Sequence, residues 1–250
     1  MAPPPGRMRV PDQSKEGAPV DVRKYAAELL GTFLFLSIAY ASIAAFLAAG
    51  AVPGLLVVPF SFGFGLIAAI FAFGHISGGH FNPAVTVAMV LDGRTTIRDA
   101  LGYVVAQVAG ALAAGALVLV VAGQDAVAAG VTKPGPGVSD LGALLLEMVM
   151  TAGFIAVILA STKRAPALAA LAIPLSLAGI HFASASLTGT SVNPARSIGS
   201  AVVGGDLAAL WISLVGPVVG AVLGWIAWKL IDGGADTVAA EQPAAEQLRE

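Results

Sequence analysis

The chain has 250 residues and a formal net charge of −2, with 57% hydrophobic and 11% charged residues. Soluble domains carry about 45–50% apolar and about 25% charged residues, so this chain has too little charge to cover a water-facing surface, and a membrane protein is expected. The small net charge gives no reason to expect nucleic acid as a partner, and the absence of cysteine excludes disulfides, thiolate metal sites and cysteine nucleophiles.

Residues 1–24 are polar and proline-rich, without the apolar core of a secretory signal, and read as a flexible tail. Crossing roughly 30 Å of hydrocarbon takes about 20 apolar residues. Six segments qualify: 25–48, 55–73, 98–122, 140–161, 166–185 and 208–230. Residues 232–250 read as a second flexible tail. With both termini in the cytosol, Arg7, Arg9, Lys15, Arg23, Lys24, Arg94, Arg98, Lys163, Arg164, Lys229 and Arg249 fall inside, and only Lys133 lies in an outer loop. That is the positive-inside asymmetry.

Two stretches, 74–93 and 186–205, are broken by glycine, serine, histidine and asparagine, yet each holds one short apolar run: 83–91 and 194–203. A helix of that length reaches about 14 Å, roughly half the hydrocarbon thickness. Re-entrant half-helices are expected, since irregular backbone at that depth must be covered by protein or line a water-filled cavity. The chain also repeats itself. Glu28 matches Glu147, the stretch around Asn82 matches that around Asn193, and Gln107 to Gly110 matches Pro217 to Gly220, with the order kept. Three spans per half force the halves into opposite orientations, so a shared site is expected near the bilayer midplane. The expected architecture is all-α: six transmembrane helices plus two half-helices in one domain over 25–231, with repeats at about 25–122 and 140–231.

The two half-helices open on Asn82-Pro83-Ala84 and Asn193-Pro194-Ala195. Asn suits an N-cap and Pro the first helical position, so one copy alone is simply a helix start. Two copies in opposed repeats bring two N-termini together, each carrying about half a positive charge. With their oxygens occupied as caps, the two Asn amides aim donors at one spot. Such a site passes neutral molecules and opposes cations.

The segments His75 to Thr86 and Thr190 to Ser197 closely resemble the two signature loops of the major intrinsic protein family, the aquaporins, and the resemblance spans about residues 22–231. It implies a passive water channel that excludes protons and ions by pore width, lining donors, an Arg and half-helix dipoles. It implies a constriction of Phe62, His181, Thr190 and Arg196, as in the bacterial-type water-selective branch. The glycerol branch has an Asp where this chain has Ser197. It further implies that Glu28 and Glu147 brace the loops, through loop backbone or, for Glu28, through His80. The carbonyls of Gly78, Gly79, His80 and Phe81, and of Gly189 to Val192 with Ser191 between them, then form an acceptor ladder. A homotetramer in lipid, with one pore per subunit, follows from the same resemblance, as does a prokaryotic inner-membrane location.

Other readings remain. Glu28 and Glu147 are the acids well within the spans and admit a proton-coupled transporter. Ser213 and Leu214 stand where water-selective members commonly have aromatics, which keeps a glycerol or small-solute facilitator open. His75 and His80 lack the acids or thiols of a metal site, so neither metal nor cofactor is expected, and an intramembrane enzyme has the least support. Gly102, Ala106, Gly110 and Ala114, and Gly216, Gly220 and Gly224, read as close helix packing.

Overall fold

A computed structural model describes residues 21–49 and 54–240. Among the described residues there are ten α-helices and no strand. They are α1 (Val22–Ala49), α2 (Gly54–Ala69), α3 (His75–Ser77), α4 (Pro83–Leu91), α5 (Ile97–Ala122), α6 (Gln124–Ala128), α7 (Asp140–Arg164), α8 (Pro166–Thr188), α9 (Pro194–Gly204) and α10 (Leu210–Ala240). Among the described residues, six spans are long and apolar enough to cross a membrane: Val22–Phe46, Leu56–Ser77, Ile97–Ala122, Asp140–Arg164, Pro166–Thr188 and Leu210–Asp232. Helices α4 and α9 are the half-crossings.

Differences from the expected boundaries have local causes. The second span runs past 73 because a π-helical turn at Ile70–Gly74 carries α2 into α3. It stops at Gly78, whose φ of 93° is the left-handed conformation that ends helices. Helix α10 continues to Ala240, well into the segment expected as a tail from 232, and α1 begins at Val22, inside the expected 1–24 tail. Asp232 is gripped by Lys163 and Arg164 from the end of α7, which fixes α10 at that level. Residues 1–20 and 241–250, the remainder of both expected tails, lie outside the described residues. Helix α6, between the third and fourth spans, has no counterpart in the sequence reading, because five residues are too few to show a period.

The repeat is visible in the packing. Helix α1 lies on α5 and α7 on α10, and α1 on α2 as α7 on α8. Each half-helix also packs against a long helix of the other half, α9 on α5 and α4 on α10. Small residues set these distances. A Cβ on Gly110 would lie 2.4 Å from the Leu29 carbonyl oxygen, and one on Gly220 2.4 Å from that of Met148. Between α9 and α5, a Cβ on Gly199 would lie 2.6 Å from the Ala111 carbonyl oxygen. Backbone meets backbone here, the basis of tight helix association in lipid.

Gly220→Val is therefore expected to lower the melting temperature in detergent sharply, as overpacking costs about 1–3 kcal/mol or more. Gly153→Ala, in open space on α7, should leave it within error. Equal melting of the two variants by thermal-shift assay would contradict this packing account.

Candidate functional site

Each half-helix begins in the same way. The side-chain oxygen of Asn82 accepts from the Ala84 amide at 2.8 Å, and that of Asn193 from the Ala195 and Arg196 amides at 3.0 and 3.3 Å. Pro83 and Pro194 occupy the first helical turn, where their missing N–H costs nothing. Ahead of each Asn the loops share one backbone pattern. Left-handed φ values occur at Gly78, Gly79 and Phe81, and 111 residues later at Gly189, Thr190 and Val192. Phe81 at 48° and Val192 at 44° are costly for residues with a Cβ, on the order of 1–3 kcal/mol each, so their surroundings must hold them there.

Two buried carboxylates do so. Glu28 accepts from the His80 amide at 2.9 Å, the Phe81 amide at 2.6 Å, the Ser77 hydroxyl at 2.6 Å and the Gln107 side chain at 2.7 Å. Glu147 accepts from the Ser191 and Val192 amides, both at 2.9 Å, and from the Thr188 hydroxyl at 2.7 Å. Ser77 and Thr188 are again 111 residues apart. Glu28 reaches His80 through its backbone; the His80 ring Nδ1 sits 3.1 Å from the Thr86 hydroxyl instead.

The two loops also hold each other. Asn82 Nδ2 donates to the Val192 carbonyl at 2.8 Å, and Asn193 Nδ2 donates to the Phe81 carbonyl at 2.9 Å. Each amide thus spends one N–H on the opposite repeat and keeps one, since a carboxamide has two. The Phe81 and Val192 carbonyls are engaged by these bonds, and that of Gly189 by Arg196 at 3.0 Å. Those of Gly78, Gly79, His80 and Ser191 accept no hydrogen bond among the described residues.

One cavity of about 320 Å³ runs past both asparagines. At one end it is lined by Phe62, His181 and Arg196, and at the other by Arg94, Thr95 and Thr162; Gly78 to Asn82 and Ser191 to Asn193 line it between them. Thr190 does not line it: its side chain is fully buried, with its hydroxyl 2.8 Å from that of Ser184. The rings of Phe62 and His181 stack with centroids 3.9 Å apart, and the Arg196 guanidinium lies 5.3 Å from the Phe62 ring centroid. Arg196 is 2% exposed. Its guanidinium donates to the Gly130 carbonyl at 2.5 Å, the Gly189 carbonyl and the Ser200 hydroxyl, while Tyr40 donates to its backbone carbonyl. Among the described residues no carboxylate forms a salt bridge with it. His181 Nδ1 lies 2.9 Å from the Leu177 carbonyl, which accepts only, so Nδ1 carries the proton and Nε2 is an acceptor. That Nε2 and the Arg196 Nε are buried without a partner, an acceptor and a donor on residues that line the same end.

The family model for the major intrinsic proteins matches residues 17–228. The chain belongs to that family. A relative, Aquaporin Z of Brucella melitensis biotype 1, is 41% identical over 225 residues, covering 83% of this chain and 97% of its own. The solved X-ray structure of the aquaglyceroporin from Plasmodium falciparum has the same fold, with a TM-score of 0.76 at 23% identity over 82% of this chain and 94% of that one. This major intrinsic protein is accordingly a multi-pass membrane channel. Sequence reasoning missed Ser77, Thr188 and Gln107 as partners of the glutamates, although the 111-residue offset relating Ser77 to Thr188 was there to be read. Tyr40 and Gly130 left no such signal, because their contacts with Arg196 join segments unrelated by the repeat.

Removing the Glu147 carboxylate strands two amides and a hydroxyl in the interior, at about 1–3 kcal/mol each. Glu147→Ala is expected to lower the melting temperature more than Glu147→Gln, which keeps one acceptor oxygen. Thermal unfolding in detergent checks this, and equal loss in both variants would argue against carboxylate bracing.

Proposed function

We propose that the chain is a passive channel for water that excludes protons and ions. The observation that carries this reading is the convergence of two Asn-capped half-helix N-termini on one cavity, with the buried Arg196 at one end. A water molecule at Asn82 and Asn193 accepts from both spare N–H groups, and its own protons turn outward along the cavity. The free carbonyls of Gly78, Gly79, His80 and Ser191 serve as successive acceptors. Phe62, His181 and Arg196 form the selective end, where the lone Nε2 and Nε atoms replace part of water's hydrogen bonding. Thr190 contributes to that end from behind, through its fixed backbone. Glu28 and Glu147 brace the loops and carry no proton across, as their oxygens are already filled by donors.

The channel domain spans about 25–231 and works as a homotetramer in lipid, in a prokaryotic inner membrane with both termini cytosolic. The positive-inside asymmetry and the resemblance to bacterial members support this placement. A glycerol facilitator is the second reading, kept open by Ser213 and Leu214 in α10.

Stopped-flow light scattering on reconstituted vesicles tests the assignment. Water flux should exceed that of protein-free vesicles, with glycerol flux far below it. His181→Gly removes an imidazole from the selective end and should raise the glycerol-to-water permeability ratio about tenfold, equivalent to relief of about 1.4 kcal/mol of hydroxyl desolvation. Glycerol passing the unaltered chain as readily as water would favour the second reading.

A further inference from the structure

We infer that Thr132, in the segment joining the two repeats, is a positioning residue for Arg196 and the second re-entrant loop, with Ser213 as its partner. This inference rests on the channel reading above for its consequence, and on geometry alone for its mechanism.

Four buried hydroxyls form a chain behind the second loop. Thr132 donates to Ser197 at 2.8 Å, and Ser197 donates to Ser191 at 2.7 Å. Ser191 in turn faces two acceptors, the Asn193 carbonyl at 3.3 Å and the Ser213 carbonyl at 3.4 Å. A hydroxyl has one proton to give. That of Thr132 goes to Ser197, so the 2.8 Å contact between Thr132 and Ser213 is donated by Ser213. The direction is therefore fixed from Ser213 through Thr132 and Ser197 to Ser191, whose proton is shared between the carbonyls of Asn193, which opens α9, and Ser213. Removing the Thr132 hydroxyl leaves the Ser213 proton without this acceptor, and Ser197 without its donor, among buried side chains.

The same short segment holds Arg196 itself. Gly130, two residues before Thr132, accepts from the guanidinium through its carbonyl. Just beyond, the Lys133 and Gly135 amides donate to the Thr188 and Leu187 carbonyls at the end of α8. Residues 130–135 thus form a strap that grips the last turn of α8, Arg196 and its neighbour Ser197 together.

The first repeat solves the same problem without a strap. There the His80 ring faces the Thr86 hydroxyl and packs edge-on against Tyr103, centroids 5.0 Å apart. His80 and Thr86 correspond to Ser191 and Ser197 at 111 residues, and Tyr103 to Ser213 at 110. Where the first repeat has an imidazole and a phenol, the second has two serines, and Thr132 enters from outside the repeat to join them. A small residue at 213 is what this arrangement requires.

The test compares Thr132→Val, which keeps the volume and loses the hydroxyl, with Thr132→Ser, which keeps the hydroxyl. Hydrogen–deuterium exchange of the full chain in detergent micelles reads the mechanism. In Thr132→Val, amides in 189–197 should exchange about fivefold faster or more, as expected for loss of a buried hydrogen bond, while those in 78–86 stay unchanged and Thr132→Ser behaves as the parent chain. In vesicles, Thr132→Val should raise the glycerol-to-water permeability ratio about threefold or more by loosening Arg196, and Thr132→Ser should restore it. Unchanged exchange in 189–197, equal acceleration in both loops, or failure of serine to restore would each overturn the inference. Absence of water flux in the parent chain would instead remove the channel reading, and the exchange result would still decide the role of Thr132.

Discussion

The structure depends on a pair of reciprocal hydrogen bonds at the centre of the bundle. Asn82 donates to the carbonyl before Asn193, and Asn193 to the carbonyl before Asn82. Each Asn is at once the cap of its own half-helix and a tie to the opposite one. The two N-termini are thereby held face to face, although each carries about half a positive charge and they repel. The tie demands left-handed backbone at Phe81 and Val192, and the two buried glutamates hold that backbone through its amides. The glycine contacts between α1 and α5, and between α7 and α10, bring those glutamates close enough to reach.

Function follows from what this arrangement leaves unspent. Each Asn retains one N–H, each loop retains free carbonyls, and His181 and Arg196 retain one unpartnered nitrogen each. A neutral molecule with both donors and acceptors can exchange its hydrogen bonds along such a path. On the proposed reading, a cation would meet two half-helix N-termini and the Arg196 guanidinium, in addition to the cost of leaving water. Buried basic groups are expensive in a membrane, about 2.5–3.5 kcal/mol at the centre of a helix. Arg196 donates directly to the carbonyls of Gly130 and Gly189.

Much of the architecture was legible in the chain because bilayer thickness converts directly into segment length. The half-helix 83–91 matches α4, and 194–203 falls one residue short of α9, since Asn-Pro marks the start and Asp92-Gly93 or Gly204-Gly205 the end. Helix α10 runs past its expected limit; at that limit Asp232 is held by Lys163 and Arg164 of α7, contacts that leave no trace in hydropathy. The glutamate bracing could be expected by resemblance, but its donors Ser77, Thr188 and Gln107 could not be ranked without distances. The resemblance groups Thr190 with Phe62, His181 and Arg196, whereas its hydroxyl lies 2.8 Å from that of Ser184, a contact with no trace in the sequence. Thr132 was invisible, as a threonine in a connecting segment has neither periodicity nor a repeat partner.

The most direct test of the central claim is proton exclusion during water flow. Vesicles containing the reconstituted chain and a trapped pH-sensitive dye are placed under a proton gradient while an osmotic step drives water through. A positive, donor-rich centre predicts rapid water movement with a proton flux equal to that of protein-free vesicles. Proton entry well above that background, while water is moving, would contradict the account.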